Sequence, residues 1–272
     1  MPDYIEIVIT VDNEDQKDLL LARLSNIGFE GFEEDKNLLK AYIAENDFDQ
    51  SGLESILEIP DLAYSRSLIK QRNWNEEWEA GFEPVQVGHF CAIRASFHEP
   101  VKGVEHEIII TPKMSFGTGH HATTFMMVEA MSAIDFKNKT VLDFGTGTGV
   151  LAILAEKLGA SSIEAIDNDD WSIENGKENI EMNECKAVYL YKSNSLETAG
   201  KTDILLANIN KNVIIHHFGA MKDHLLPNGV LLLSGLLSGD LQDIQKMASD
   251  ERLIVKEVTE RNSWICIRLH NT

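Results

Sequence analysis

Three glycines alternate with threonines in residues 141–149, which read Val-Leu-Asp-Phe-Gly-Thr-Gly-Thr-Gly. The apolar residues before the first glycine predict a buried strand, and the apolar residues after the last glycine predict a helix. A glycine-rich turn between a strand and a helix is the context of a nucleotide-binding site. Glycines there let the backbone and its amide groups approach a ligand closely. We therefore predict that Gly145 and Gly147 contact a cofactor.

Two classes of cofactor use such a turn, and the spacing of the glycines distinguishes them. A dinucleotide site has the pattern Gly-x-Gly-x-x-Gly or Ala. Here Gly149 comes one residue early, and Val150 occupies the expected position. The stretch instead resembles the loop with which methyltransferases wrap the methionine part of S-adenosylmethionine. The pattern favours this methyl donor, with S-adenosylhomocysteine as its product, over a nicotinamide cofactor.

Two carboxylates accompany the loop. Asp167 ends the next predicted strand, about 20 residues after Gly145, where a carboxylate can accept hydrogen bonds from both hydroxyls of a ribose. Asp143 stands two residues before Gly145 at the end of a buried strand. We expect Asp143 to hold the amino group of the cofactor; the alternative is that it only braces the loop amides.

The elements that position these groups alternate along the second part of the chain. Strands are predicted at 140–144, 163–167, 187–191, 203–208 and 229–233, with helices at 150–158 and 171–182. This alternation indicates an α/β fold, a mainly parallel sheet covered by helices on both faces. Residues 253–259 and 264–269 predict a terminal hairpin. The last strand is then antiparallel, as in the Rossmann-like sheet of class I methyltransferases.

The first 69 residues predict a separate small α+β domain. Strands at 4–9, 28–32, 38–43 and 63–69 combine with helices at 14–27 and 48–57. The order strand, helix, strand, strand, helix, strand is the ferredoxin-like plan, which leaves one sheet face free for a partner. Residues 70–81 predict a linker helix with Trp74 and Trp78 on one face. We expect 1–69 to recognise the substrate and 82–272 to form the catalytic domain.

The composition limits the partners. The chain has 24 Lys+Arg against 44 Asp+Glu, a formal net charge of -20. Such a charge repels nucleic acid and anionic membranes and attracts basic partners, although ordinary solubility also explains part of it. There is no apolar run of about 18 residues and no signal-peptide pattern, so we expect a cytoplasmic protein. We further expect a monomer with a basic protein substrate.

A second motif lies upstream of the glycine loop. Residues 114–124 read Met-Ser-Phe-Gly-Thr-Gly-His-His-Ala-Thr-Thr, which closely resembles the Phe-Gly-Thr-Gly-x-His-x-Thr-Thr signature of the PrmA family. Members of that family methylate the large-subunit ribosomal protein numbered eleven. Leu-Ala-Asn-Ile at 206–209 and Leu-Ser-Gly-Leu-Leu at 233–237 resemble two further segments of the family. The resemblance covers the catalytic domain from about residue 82 to residue 268.

The resemblance implies both a set of site residues and an activity. The family's cofactor positions correspond to Thr124, Gly145, Asp167 and Asn208, and the activity is N-methylation of lysine side chains or an N-terminal amine of a ribosomal protein. Asn208 is the catalytic candidate, because its carbonyl can orient a neutral amine without the full negative charge that raises an amine's pKa.

Several alternatives stay open at this point. The chain could methylate another protein or a small-molecule amine, or could be a nicotinamide-dependent dehydrogenase. A glutamine-directed methyltransferase is disfavoured because Asn-Ile-Asn-Lys at 208–211 replaces the Asn-Pro-Pro-Tyr typical of such enzymes. His120 and His121 resemble a metal pair, but no cluster of acidic or cysteine ligands accompanies them, and we expect no metal.

Overall fold

The computed structural model describes residues 3–35, 37–57, 63–69, 82–112 and 119–272. The chain forms two compact units, Met1–Glu79 and Ala80–Thr272. The predicted linker helix at 70–81 lies outside the described residues, as do residues 113–118 of the upstream motif. No helix among the described residues combines the length and apolar character needed to cross a membrane.

The first unit has the predicted ferredoxin-like plan. Its elements are β1 (Tyr4–Thr10), α1 (Glu14–Asn26), β2 (Gly31–Asp35), β3 (Leu38–Ala44), α2 (Gln50–Leu57) and β4 (Tyr64–Ile69). The four strands form one sheet in the order β2-β3-β1-β4, and every pair is antiparallel. Alternate residues of β1 are buried, so one face of the sheet packs with the two helices into a single apolar cluster.

A small sheet that the sequence did not predict opens the second unit. It consists of β5 (Val85–Val87), β6 (Cys91–Ala95) and β7 (His106–Ile110), in the order β5-β6-β7. The pair β5 and β6 is antiparallel, whereas β6 and β7 are parallel. All residues of β6 are buried, so this strand lacks the alternation by which a half-buried strand is detected.

The main sheet has seven strands in the order β10-β9-β8-β11-β12-β14-β13. These strands are β8 (Thr140–Phe144), β9 (Ser162–Asp167), β10 (Val188–Lys192), β11 (Thr202–Asn208), β12 (Leu225–Leu237), β13 (Leu253–Arg261) and β14 (Trp264–Asn271). The five strands from β10 to β12 pair in parallel, whereas β14 is antiparallel to both of its neighbours. The predicted class I methyltransferase sheet with an antiparallel last strand is confirmed.

Helices cover both faces of this sheet. They are α3 (Ala122–Met131), α4 (Val150–Lys157), α5 (Asp170–Met182), α6 (Lys211–His224) and α7 (Leu241–Asp250). One apolar cluster includes residues of α3, α4 and α5, and the other includes residues of α6 and α7. In the sheet, β8 lies between β9 and β11. The chain builds one half of the sheet from β8 through β9 to β10, and it then returns to build the other half from β11 onward. Ligands of open α/β sheets bind at this switch point, outside the carboxyl ends of the strands.

Candidate active site

A pocket of about 500 Å³ lies at the carboxyl ends of the central parallel strands. Its volume is within the range of small-molecule sites, roughly 300–1,000 Å³. Residues from several elements line it, including five predicted site residues: Thr124, Gly145, Gly147, Asp167 and Asn208. The structure therefore brings together residues that are far apart in the chain.

The glycine loop forms one wall of the pocket in a conformation that favours glycine. Gly145, Gly147 and Gly149 have φ angles of 76°, 55° and 79°, a region that other residues rarely adopt. A Cβ on Gly145 would collide with Cγ2 of Ile209. The backbone N–H groups of Gly145 and Thr146 both donate to the Ile166 carbonyl, at 2.8 and 3.0 Å. At Gly145 the loop thus packs so closely against Ile209 that an added methyl group would not fit.

Asp167 ends β9 beside this loop. Its Oδ2 accepts a hydrogen bond from the Gly147 N–H at 2.9 Å, and its Oδ1 accepts one from the Asp169 N–H at 3.0 Å. A carboxylate oxygen can accept more than one hydrogen bond. Asp167 can therefore hold the loop and also accept two ligand hydroxyls, the arrangement a ribose requires.

Asp143 lies behind the loop and does not line the pocket. It is fully buried, and its Oδ2 accepts a hydrogen bond from the Thr146 hydroxyl at 2.6 Å. Burial raises the pKa of this carboxyl to about 7, against the opposing effect of the Thr146 hydrogen bond. This contact is with a hydroxyl of the loop rather than with its amides, and the binding of the cofactor's amino group by Asp143 stays a prediction.

Asn208 and Thr124 meet across the pocket. Asn208 ends β11, and its Nδ2 donates to Oγ1 of Thr124 at 3.2 Å. Thr124 lies in the first turn of α3 and is buried. Among the described residues, no donor reaches the buried Oδ1 of Asn208. A buried acceptor without a donor is costly, and a ligand amine or hydroxyl would satisfy it.

The adjacent histidines are directed to different neighbours. The His121 side chain caps α3 by accepting from the Thr123 N–H, and its ring lies 4.8 Å from the Trp264 ring. The His120 ring packs edge-on against Phe82 at 4.7 Å. Within the described ranges, no group of three His, Cys, Asp or Glu side chains could hold a metal ion.

The pocket also contains residues that the sequence did not single out. His217 packs its ring against Phe144 at 5.1 Å, and burial, followed by the charge of His216, lowers its pKa. Trp264 begins β14 and lies in the pocket wall because β14 is antiparallel to β12, which places its first residue beside the carboxyl end of β12. Asn210, which the sequence analysis suggested could assist Asn208 if the chain bends there, also lines the pocket, and its side chain caps α6 by accepting from the Val213 N–H at 3.1 Å.

Gly235 explains the conformation of the chain beside Asn208. Its φ angle is 86°, and a Cβ here would collide with the carbonyl oxygen of Ile209. The only sequence signal for this residue was the Leu-Ser-Gly segment of the family resemblance. Because Gly235 has no side chain, the Ile209 backbone that follows β11 can lie directly against β12.

The model of a family described as ribosomal protein L11 methyltransferase (PrmA) matches residues 4–272. This chain belongs to the PrmA family. A ribosomal protein L11 methyltransferase from Porphyromonas gingivalis is 40% identical over 259 residues, covering 92% of this chain and 89% of the relative. Another, from Phocaeicola vulgatus, is 35% identical over 275 residues, covering 97% and 98% of the two chains.

A solved structure of a ribosomal protein L11 methylase has a similar fold over most of this chain. The crystal structure of ribosomal protein L11 methylase from Lactobacillus delbrueckii subsp. bulgaricus has a TM-score of 0.65 and 27% sequence identity to this chain. The match covers 70% of this chain and 100% of that chain. The predicted family and its class, the S-adenosylmethionine-dependent methyltransferases, are confirmed. Membership of the PrmA family favours this class over a nicotinamide-dependent dehydrogenase.

Proposed function

We propose that this protein transfers methyl groups from S-adenosylmethionine to amines of ribosomal protein L11, on lysine side chains, the N-terminus or both. One observation carries the proposal: a glycine cradle, a ribose-type carboxylate and an unsatisfied amide oxygen, that of Asn208, meet in one pocket. The chain's relatives, which are ribosomal protein L11 methyltransferases by name, supply the identity of the substrate.

The described residues fit the cofactor. Gly145 and Gly147 would hold its methionine part, Asp167 its ribose hydroxyls, and Thr124 and Asn208 its reactive end. The bound cofactor supplies an already activated methyl group on a sulfonium. The protein's task is then to align a neutral amine opposite the sulfur and to exclude water.

Asn208 suits an amine nucleophile better than a carboxylate does. At pH 7 a lysine with a pKa near 10.4 needs roughly 4–5 kcal/mol to expose its neutral amine, whereas an N-terminal amine needs only about 1 kcal/mol. A carboxylate in contact with the amine would add to this cost by stabilising the ammonium. The Asn208 amide, held through Nδ2 by Thr124, leaves Oδ1 to accept a hydrogen bond from the amine.

The finer assignments follow from charge and domain plan. A net charge of -20 favours a basic protein over nucleic acid or a membrane surface, and it opposes association between copies of the chain. We assign substrate recognition to the ferredoxin-like unit and place the protein in the cytoplasm as a monomer.

Intact-mass spectrometry of purified L11 incubated with the enzyme and S-adenosylmethionine tests the proposal. We expect mass increases in whole methyl steps, and none with an Asp167→Ala variant. Calorimetry with S-adenosylhomocysteine tests the cofactor assignment separately. No heat of binding, or methylation of small amines with L11 left unmodified, would overturn the proposal.

A further inference from the structure

Three asparagines follow one another at intervals of four residues. Asn175 and Asn179 lie on α5, and Asn183 caps its C-terminal end. Residues at i and i+4 lie on the same face of a helix. The side chain of Asn183 forms two hydrogen bonds with Ile109 of β7. Its Oδ1 accepts from the Ile109 N–H at 3.0 Å, and its Nδ2 donates to the Ile109 carbonyl at 2.6 Å. The C-terminal end of this face therefore binds the backbone of the small sheet.

Asn179 continues this contact and adds a second one. Its Oδ1 accepts from the N–H of Thr111, just beyond β7, at 2.8 Å. Its Nδ2 donates to the carbonyl of Thr148, within the glycine loop, at 2.8 Å. Asn179 is fully buried. One side chain thus joins the end of the small sheet to the loop that forms the pocket wall.

Gly176 shows how closely α5 approaches the same loop. A Cβ on Gly176 would lie only 3.2 Å from the carbonyl oxygen of Gly147. The helix therefore packs directly against the back of the loop, and Asn179 reaches the next carbonyl, that of Thr148. A buried carbonyl needs a donor, and Asn179 supplies it from a rigid helix.

The loop needs such a fixed point because its glycines permit many backbone conformations. Thr148 lines the pocket, as do Gly145 and Gly147. A shift of the Thr148 carbonyl would change where the neighbouring loop atoms stand. Binding is tighter when the site is already in its bound conformation.

We propose that Asn179 is a positioning residue that sets the glycine loop for the methyl donor without contacting the donor itself. This inference rests on the proposed function, because it concerns binding of the same cofactor. In this proposal Asn179 contributes to the affinity for the cofactor, whereas Asn183, one turn further on, contributes only to the stability of the fold.

The test compares Asn179→Asp with Asn183→Asp in the full chain. Each change keeps the acceptor oxygen and replaces the donating amide by a carboxylate oxygen, on the same helix and beside the same strand. We expect Asn179→Asp to weaken S-adenosylhomocysteine binding by about tenfold, the effect of losing one buried hydrogen bond. The KM for S-adenosylmethionine should rise in parallel, with the KM for the protein substrate unchanged.

Asn183→Asp is the matched control. It should lower the unfolding temperature while leaving S-adenosylhomocysteine affinity within about twofold of wild type. If Asn179→Asp does not fold, Asn179→Ser, whose shorter side chain does not reach the Thr148 carbonyl and adds no charge, should show a loss of affinity in the same direction. Equal affinities for the Asn179 and Asn183 variants would overturn the inference. Wild-type protein that does not bind S-adenosylhomocysteine would instead overturn the proposed function.

Discussion

Two pocket asparagines, two residues apart, have different local roles. The Asn208 amide donates to Thr124 and keeps an unsatisfied Oδ1, whereas the Asn210 side chain already accepts from Val213 at the start of α6. We therefore expect Asn208→Ala to lower kcat on the order of 100-fold, the usual effect of removing one oriented polar group from a reaction site.

Asn210→Ala should instead cost about 1 kcal/mol of stability through the lost helix cap, with a much smaller effect on kcat. Single-turnover methylation and urea unfolding of both variants separate the two effects. Wild-type turnover in Asn208→Ala would remove this residue from the mechanism.

The buried Asp143 carboxyl predicts a pH-dependent stability. Its pKa is about 7 in the folded protein, against 3.8 for an ordinary aspartate. Between these values the folded protein keeps a proton that the unfolded chain has lost, so stability falls as the pH rises through this window and then stays level. The Asp143→Asn variant has no titrating carboxyl at this position, so it should not lose stability in this way as the pH rises.

The measurement is urea unfolding of ligand-free protein at about pH 5 and about pH 8. The unfolding free energy of Asp143→Asn minus that of wild type should be larger at the higher pH than at the lower pH, by an amount on the order of 2–4 kcal/mol. The comparison cancels all other titrating groups. A difference between the two proteins that does not change with pH would contradict the elevated pKa.

At the scale of elements, the pocket depends on how closely the chain that leaves β11 packs against the neighbouring strand β12. Gly235 has a positive φ and no room for a Cβ beside the Ile209 carbonyl. Gly235→Ala should destabilise the protein by at least about 2 kcal/mol, because strain and a backbone collision add. It should also reduce turnover, because the added methyl group would displace Ile209, which directly follows Asn208.

Gly239→Ala is the control for this prediction, since nothing lies within 4 Å of a Cβ at that position. Thermal unfolding and methylation rates of both variants test the prediction. Equal behaviour of the two alanine variants would show that the close contact between Ile209 and β12 tolerates a side chain at position 235.

At the scale of the whole molecule, charge and the division into units affect substrate capture rather than chemistry. With a net charge of -20, the protein should attract a basic substrate over distances that salt screens. Raising ionic strength from about 0.05 M to about 0.5 M should lower kcat/KM for L11 several-fold. Binding of S-adenosylhomocysteine, which carries no net charge, is the internal control, and a salt-independent kcat/KM would argue against electrostatic steering.

The two units have separate apolar clusters, and all the described residues that line the pocket lie in the second unit. A chain beginning at Ala80 should therefore bind S-adenosylhomocysteine with wild-type affinity, within about twofold. Its kcat/KM for L11 should fall by at least about tenfold if the first unit recognises the substrate. Unchanged kcat/KM would remove the first unit from substrate recognition.

Local patterns in the sequence were sufficient for the cofactor loop and for most of the strands. The spacing of Gly145, Gly147 and Gly149, with Asp167 after the next strand, distinguished a methyl donor from a dinucleotide. Apolar runs gave β8 its bounds of 140–144, as in the structure. These features are predictable because glycine conformation and burial pattern act over a few neighbouring residues.

Contacts between distant residues needed the tertiary structure. The hydrogen bond between Asn179 and Thr111 spans 68 residues, and Trp264 reaches the pocket only because β14 inserts between β12 and β13. Asp143 was expected in the pocket, but Leu142 and Phe144 face the α6 side of the sheet. The side chain between them therefore faces the opposite side, behind the loop. Periodicity fixes which element a residue occupies, whereas packing between elements decides what that residue touches.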